Sequence, residues 1–417
     1  MFKGLPNNGN ITLQLDKSSG DVDRLVGNPY PSAIDATEFI LDNLHTSVGG
    51  NNTTGTVFNG ALYFWDHFGE ENSHNLGDYV GGYATRNLTG GAAAISNDSR
   101  INNTSDNGNP ATGTKIPGEY IAVNQGFFVT TALDGFNDGN AIPLVTIDGG
   151  DIVFKNSQRA FVRENASTSL FLSPNNETQD INPILAVPPP GQQEIGNTPT
   201  IRLVYSSPKG YHRQIVLGLD ESASNGFDLG YDAFMIDVSE EDMYWLFNEN
   251  KFVIQGVNNF NETQEFSLGL IVNEAGLIKI NLNALENVSP STSLYIKDNL
   301  TGETHEINNQ AFEMYLEPGE YNDRFKLTFK REILSVDDLV KDDNTIYFDA
   351  RTKRIKVISI DELNILDATL YNIIGQSITE LTFNTEKASQ LLNVNSGVYI
   401  VQLNTPNGII NKKVIIN

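Results

Sequence analysis

Short apolar runs separated by clusters of Gly, Asn and Asp recur along the chain. Examples are "ITLQLD", "ALYFWDH" and "YIAVNQGFFVT" in the first part, and "IRLVYSS", "RQIVLGLD" and "KFVIQGV" further on. The runs are rich in β-branched and aromatic residues, which strands prefer, and the clusters between them are typical of turns. We therefore predict an all-β protein.

Two segments carry the local signals of helices instead. They are "SAIDATEFILDN", which follows Pro31, and "SEEDMYWLF". Each begins with Ser and acidic residues, which are preferred at helix N-termini. We predict a short helix in each.

The first predicted unit is a β-rich N-terminal domain at 1–163. In 164–200 Pro, Asn and Gln are mixed without a period, and three prolines at 188–190 favour an extended linker. Residues 201–331 contain about seven predicted strands with a turn about every 8–12 residues, which is typical of a β-sandwich. The predicted fold class is therefore tandem β-sandwich domains of the jelly-roll or Ig-like kind.

A charged connector at 332–345 precedes a third predicted unit at 346–417. Three hairpins follow one another there, in "TIYFDARTKRIKVISI", in "ATLYNIIGQSITELTF" through Gly375, and in "GVYIVQLNTPNGIINKKVII" through a turn at 406–408. We expect a small β-sandwich of about seven strands, near the lower size limit for independent stability.

Charge divides the chain into two unlike parts. The 417 residues carry a net charge of -25, with 27 Lys and Arg against 52 Asp and Glu. Residues 346–417 contain seven Lys and Arg and six Asp and Glu, a net of +1, so the preceding residues carry 20 against 46, a net of -26. Such an acidic body disfavours nucleic acid and anionic membranes as partners, because their phosphates would be repelled.

Several classes of site and segment are missing from the sequence. It has no Cys, which excludes disulfides, thiolate metal sites and cysteine nucleophiles. No run of 18 apolar residues predicts a transmembrane helix, and the start, "MFKGLPNNGNITLQLD", lacks the apolar core of a signal peptide. An exported protein would therefore need a leader that precedes this sequence.

The last hairpin places Lys412 and Lys413 on the terminal strand. Lysines often protect an exposed sheet edge from unwanted pairing, and this role would explain the pair without any function. Recognition of this end by a partner is the alternative.

The segments "LYNIIGQSI", "LNVNSGVYIVQL" and "NGIINKKVIIN" resemble the type A C-terminal sorting domain of type IX secretion cargo in Bacteroidota. That family has a strand and an "nxxGq" turn, then a "GxYxv" strand, a Gly-containing turn and a closing basic strand. Its frequent opening, Pro-Asn-Pro, is replaced here by "DDNTIYFDARTKRIKV". The resemblance implies sorting-signal roles for Gly375, Gly397, Tyr399, Gly408, Lys412 and Lys413.

The body carries a second resemblance. The segments "VDRLVGNPYPSAIDATEFI", "IVLGLDESASNGFDLGYDAF" and "YNDRFKLTF" are similar to the region before the sorting domain in flavobacterial surface proteins described as adhesin-like or related to gliding motility. Together the resemblances imply a secreted, cell-surface protein that reaches the outside through the periplasm. They imply as partners the outer-membrane shuttle and translocon of the type IX system and a surface sortase that removes the domain.

Catalytic motifs such as HExxH, GxSxG, GxGxxG and the Walker A loop are absent from the sequence, and we expect a protein that is not an enzyme. Cofactors are not expected, except that calcium-loop composition in "DGFNDGN" and "DGGD" makes calcium a candidate. The first loop has Phe136 where an EF-hand would place Asp or Asn, so that motif fails. The candidate calcium ligands are Asp134, Asp138, Asp148 and Asp151.

The segment "FWDHFGEENSHNLGDY" offers the remaining candidate chemistry. Its Asp, Glu and His residues match no metal-ligand spacing, so a polar loop is favoured over a metal site. Aromatic rings here are either core and loop anchors or a stacking platform for a sugar. The second possibility makes the body a carbohydrate-binding module of a secreted polysaccharide-acting protein; a fragment of an enzyme with an upstream catalytic domain is a further alternative. The possible sugar-binding residues are Tyr63, Trp65, Tyr79 and Tyr83.

Overall fold

A computed structural model describes the chain in two compact units, residues 1–331 and 332–417. The described residues are 4–18, 20–68, 81–97, 115–133, 146–162, 198–261, 263–330, 346–357, 365–372, 374–383, 389–406 and 408–416. Almost all regular structure is β, as predicted. No helix among these residues is long and apolar enough to cross a membrane.

The first unit contains most of the strands. Within its described residues they are β1 (Ile11–Leu15), β2 (Asp23–Gly27), β3 (Ala33–Asp35), β4 (Leu62–His67), β5 (Gly81–Arg86), β6 (Gly91–Ala92), β7 (Tyr120–Ile121), β8 (Gly126–Thr130), β9 (Gly150–Phe154), β10 (Arg159–Ala160), β11 (Thr200–Ser206), β12 (His212–Leu219), β13 (Ala233–Phe234), β14 (Asp242–Phe247), β15 (Asn250–Val257), β16 (Glu265–Val272), β17 (Gly276–Glu286), β18 (Tyr295–Asp298), β19 (Glu303–Glu306), β20 (Phe312–Leu316) and β21 (Gly319–Thr328). Short 3₁₀ turns occur at Thr46–Val48 and Asn156–Gln158.

The first predicted helix is confirmed as α1 (Ala36–Asn43). Its N-cap is Asp35, whose carboxylate accepts the backbone N–H groups of Thr37 and Glu38. Phe39 is fully buried and stacks at 4.9 Å between ring centroids on Phe154 of β9. Capping fixes where this short helix begins, and packing of its apolar face against β9 stabilises it.

The second predicted helix, "SEEDMYWLF", is wrong, because this segment forms β14 between β15 and β16. Its acidic residues do not cap a helix. Glu241 accepts backbone N–H groups of Lys209 and Glu274, and Asp242 binds the Arg213 guanidinium. Sheet pairing and burial on both faces outweigh the local helix signal.

Two large cores and a small cluster of Phe68, Ala84 and Ala94 stabilise the described part of the first unit. One lies around α1 and joins it to a five-stranded sheet of order β2-β8-β4-β5-β6, with smaller sheets β1-β9 and β10-β3-β7. The other lies within an eleven-stranded sheet whose main path is β19-β18-β21-β16-β14-β15-β12-β11-β17-β20, with β13 beside β15. Consecutive strands β16 and β17 lie far apart in this order, as expected when a chain changes layers in a sandwich.

The segments predicted as separate domains, 1–163 and 201–331, share the second core. Ala61, Tyr63 and Ala92 pack there with strands of the eleven-stranded sheet. Residues 164–197 of the predicted linker and the whole predicted connector 332–345 lie outside the described residues. The predicted boundaries at these places therefore stay predictions.

The second unit forms the predicted small sandwich. Its described residues contain a three-stranded sheet, β22-β23-β26, and a four-stranded sheet, β25-β24-β27-β28. The three predicted hairpins are confirmed as the antiparallel pairs β22–β23, β24–β25 and β27–β28. The strands are β22 (Ile346–Asp349), β23 (Arg354–Val357), β24 (Asp367–Asn372), β25 (Ser377–Leu381), β26 (Ser389–Leu391), β27 (Gly397–Thr405) and β28 (Gly408–Ile416).

Candidate functional site

The turn between β24 and β25 is held by its first residue. The Asn372 side-chain oxygen accepts the backbone N–H of Ile374 at 3.1 Å and of Gln376 at 2.9 Å. The Asn372 amide also donates to Gln376 Oε1 at 2.9 Å. Gly375 adopts a left-handed backbone with φ of 82°. These contacts give a structural reason for Asn, Gly and Gln at these three places of the turn.

Replacing Gly375 by Ala is expected to lower the free energy of unfolding of the second unit by about 1–2 kcal/mol. A Cβ there would meet nothing within 4 Å, so the cost comes from the left-handed backbone alone. Hydrogen exchange of the β24–β25 amides measures the change. Gly397→Ala is the control, because its Cβ would make an ordinary 3.4 Å contact with Tyr399 and its φ is not left-handed. Equal losses in the two variants would contradict this explanation.

Gly397 and Tyr399 lie at the start of β27. The Tyr399 hydroxyl donates to the backbone oxygen of Asn395 at 2.9 Å, and the ring packs along Gly397. Tyr399 is half-buried at the margin of the second unit's core. Tyr399 therefore has a structural role in ordering the entry to β27, whatever recognises this unit. Gly408 pairs with Thr405 at the other end of the hairpin, where β28 begins.

The two lysines of β28 point to opposite sides of the sheet. Lys413 is opposite Ile400 and exposed, whereas Lys412 is opposite Val401 and half-buried. Val414 and Ile416, on the same side as Lys412, are both 3% exposed. Successive side chains of a strand alternate between faces, so the pair does not form one cationic patch. β28 is also the last strand in the order of its sheet.

An apolar strip lies at one end of the outer face of this four-stranded sheet, beside the start of β27. Val398 is opposite Ile415, and Ile400 lies between Tyr371 and Lys413. Ile415 is 59% exposed and Val398 37%, although the inner face already buries Val401 and Leu403 completely. We call Tyr371, Val398, Ile400, Lys413 and Ile415 the outer strip. The sequence signal was the apolar run "VYIVQL", which is apolar on both faces of its strand.

Asp349 and Lys356 form an ion pair across the β22–β23 hairpin, with 2.7 Å between Oδ2 and Nζ. The Lys356 ammonium, together with hydrogen bonds from Thr352 and Arg351, lowers the pKa of Asp349 to about 2. An acid whose pKa is lowered in the folded state stabilises that state above its unfolded pKa of about 4. The contribution is lost as the pH falls from there towards about 2.

We expect an NMR titration of the Asp349 carboxyl group to give a midpoint of about 2. The Lys356→Gln variant should move this midpoint up, towards the ordinary value for Asp. The Lys353→Gln variant serves as the control, because this exposed lysine lies in the same hairpin whereas Asp349 pairs with Lys356. An unchanged midpoint in the variant would show that Lys356 is not the main cause.

The structure separates the aromatic candidates of the first unit. Trp65 is 40% exposed on β4, and its ring meets the half-buried Tyr83 edge to face, with 5.1 Å between centroids. Tyr83 in turn contacts Phe128 at 5.7 Å. Tyr63, predicted as a possible sugar-binding residue, is completely buried and belongs to the core. Its hydroxyl accepts a hydrogen bond from Asn59, so its ring is not available for stacking on a sugar.

Three of the five other aromatic and calcium candidates lie outside the described residues, namely Tyr79, Asp134 and Asp138. Asp148 is exposed and accepts the backbone N–H of Thr56 at 2.8 Å, whereas Asp151 is exposed in β9. Among the described residues, no group of three or more His, Cys, Asp or Glu is placed to hold a metal ion. Calcium binding stays a prediction.

Asp66, from the segment first considered for metal binding, is buried within the first unit. Its carboxylate accepts the Lys115 backbone N–H at 2.9 Å and pairs with the Lys115 ammonium at 3.5 Å. Burial raises the pKa of Asp66, and the contacts with Lys115 lower it in part. This geometry suits a structural ion pair.

Comparison with known protein families matches both units. Residues 1–329 match a domain of unknown function (DUF8693), and residues 348–417 match a secretion system C-terminal sorting domain. No curated protein matches the chain. The resemblance to type IX secretion cargo is thus confirmed for the C-terminal unit, which indicates secretion by that system to the cell surface or beyond. The adhesin-like and gliding-related character of the body stays a prediction.

Proposed function

We propose that residues 346–417 are an export signal read by the outer-membrane shuttle and translocon of the type IX system. The chain belongs to the family of the domain of unknown function DUF8693, and it ends in a sorting domain. The observation that carries this proposal is the family match of 348–417 to a unit that is compact and has its own core. A folded unit with an exposed terminal strand can be bound as a separate object, without contact with the body.

Two physical features support recognition at this end. β28 lies at the end of its sheet, so its outward backbone groups can pair with a strand of a receptor. Lys413 is exposed on the same strand and adds a charge that a receptor can read. The near-neutral charge of 346–417 also contrasts with the net charge of -26 on the preceding residues, derived from the composition.

For the body, we propose an adhesin-like role at the surface of a flavobacterial cell, with gliding motility as the process it serves. A surface sortase removes the sorting domain, and the body is then attached to lipopolysaccharide. The body acts by binding and not by catalysis. The support is the resemblance of its segments to flavobacterial surface proteins and its acidic, all-β character.

The test compares the full chain with a version that ends at Asp343, each tagged and provided with a signal peptide in a flavobacterium. We expect only the full chain to reach the surface and to co-purify with an outer-membrane barrel protein. Equal export of the shorter version would refute the role of 346–417 as the signal. Export of the full chain without capture of any outer-membrane protein would refute the named partners alone.

A second candidate function is carbohydrate binding by the body. The observation that favours it is the 40% exposure of Trp65, supported from beneath by Tyr83. A sugar ring can stack on the open face of such an indole.

Titration of the full chain with bacterial and plant polysaccharides tests the idea. Trp65→Ala should weaken binding by about tenfold or more, equivalent to about 1.4 kcal/mol. Phe161→Ala is the control, because this ring is fully exposed elsewhere in the first unit. Binding that resists the Trp65 substitution would rule out this platform.

A further inference from the structure

We infer that the outer strip of the second unit is a docking surface for a protein of the secretion machinery, one that offers apolar side chains and a carboxylate. This inference rests on the proposed function, because it names the surface by which the export signal is read. It adds a sheet face to the edge strand and the charge readout proposed above.

The strip is surplus to the folding of the unit. Inner-face residues of the same strands, such as Leu370 and Val401, are completely buried and build the core. Val398 and Ile415 lie on the other face, paired with each other and open to solvent. An antiparallel sheet with one face on the core ordinarily carries polar residues on the other. Apolar residues grouped on an exposed face are typical of an interaction site.

The strip has a defined chemical pattern. Ile400 is flanked by Tyr371 on β24 and by Lys413 on β28. The Tyr371 hydroxyl donates to Gln402 Oε1 at 3.4 Å, which holds the phenol along the sheet. An exposed ammonium next to apolar groups fits a partner with a carboxylate beside its own apolar side chains, since complementary charge fixes orientation.

The occupant is a protein and not a lipid surface. Attraction to an anionic membrane needs a cluster of about 4–8 basic residues, whereas Lys413 is the single cation of the strip. The family match of this unit to a secretion system sorting domain identifies the class of partner, because such a domain engages the secretion machinery. A second copy of the chain is the alternative occupant, and the experiment distinguishes it.

The experiment uses the full chain and two variants of it, a double substitution that keeps the β-branched shape of its side chains and a single charge reversal. Val398→Thr with Ile415→Thr removes apolar surface, and Lys413→Glu reverses the charge. Leu391→Thr is the matched control, because Leu391 is 60% exposed on β26, in the other sheet of the unit. Thermal unfolding, monitored by pulse proteolysis, verifies that each purified chain is folded.

We expect the double variant and Lys413→Glu each to reduce co-purification with the outer-membrane partner by about tenfold, while Leu391→Thr behaves like the parent chain. If both variants capture the outer-membrane partner as well as the parent chain does, the inference is overturned. If capture is then lost only on truncation at Asp343, the proposed function stays intact. A parent chain that is dimeric, with the dimer lost in the double variant, would also overturn the inference, because a second copy would cover the strip. If the double variant unfolds, Ile415→Thr alone decides, since this side chain is 59% exposed and outside the core.

Discussion

Secretion of the full chain is expected to be lost when Leu403 is replaced by Ala. Leu403 is completely buried in the core of the second unit, together with Leu370 and Val401. Truncating a buried Leu to Ala costs about 2–5 kcal/mol, from lost transfer energy and the cavity left behind. A domain of about 70 residues rarely has more than about 3–5 kcal/mol of stability to lose. The substitution should therefore unfold the sorting domain and remove the surfaces of the outer strip and of β28 together.

Surface immunoblotting and pulse proteolysis measure the two consequences. Leu391→Ala provides the matched control, since the same residue type is 60% exposed there and its loss should cost less than about 0.5 kcal/mol. Normal export of an unfolded Leu403→Ala variant would mean that the machinery reads a linear segment. The docking geometry described above would then have no role in recognition.

Local elements of this fold follow directly from the sequence. Ser and acidic residues at the front of "SAIDATEFILDN" predict a helix, and the structure confirms it as α1 with Asp35 as its N-cap. Pro406 and the residue after it predict the turn between β27 and β28, which pair along their whole length. In each case the residues that carry the signal lie within a few positions of one another. Such signals do not depend on where the rest of the chain packs.

Elements that depend on distant partners could not be predicted this way. The acidic residues around the start of β14 resemble a helix start, but their partners Lys209 and Arg213 lie about 30 residues away in the sequence. The interpretation of Tyr63 as a core residue is confirmed, but the sequence does not predict that strands beyond residue 200 cover it. The sequence of a strand predicts which of its side chains lie on the same face. It does not predict which other element will cover a given face.

In the candidate site, too, some features follow from the local sequence and others depend on how the strands pair. Opposite orientation of Lys412 and Lys413 follows from the two-residue period of a strand, and register with β27 shows which of them faces outward. The outer strip needs that register as well, because Val398, Ile400 and Ile415 come from two strands. Gly375 needs only its own turn, where the left-handed backbone accepts no other residue as easily.

The second large effect is expected in the first unit, from Arg213→Met. Arg213 is 1% exposed, and its guanidinium donates to both carboxylate oxygens of Asp242, at 2.8 and 2.9 Å. It also donates to Asp237 Oδ1 at 3.0 Å. One cation thus balances two acids in a site with little water. Removing one partner of a buried ion pair costs about 3–5 kcal/mol, because the remaining charge has no compensation.

The way in which the destabilisation by Arg213→Met depends on pH follows from the pKa of Asp237. Burial raises its pKa, and Arg213 opposes that rise, so the variant should raise the pKa further. A carboxyl group whose pKa is raised in the folded state binds more protons when folded than when unfolded, and stability then falls as the pH rises through that range. The destabilisation by Arg213→Met should therefore be largest near about pH 7 and shrink as the pH falls towards about 4.

Tryptophan fluorescence in a denaturant titration measures this effect selectively, because both tryptophans of the chain, Trp65 and Trp245, lie in the first unit. Lys209→Met is the matched control. This substitution breaks the ion pair between Lys209 and Glu240, whose side chains are 30% and 46% exposed. It should lower the free energy of unfolding by less than about 1 kcal/mol. Adding Asp242→Leu to Arg213→Met should restore part of the loss, since it removes one of the stranded charges. A loss in Arg213→Met that does not change with pH would instead assign the effect to packing.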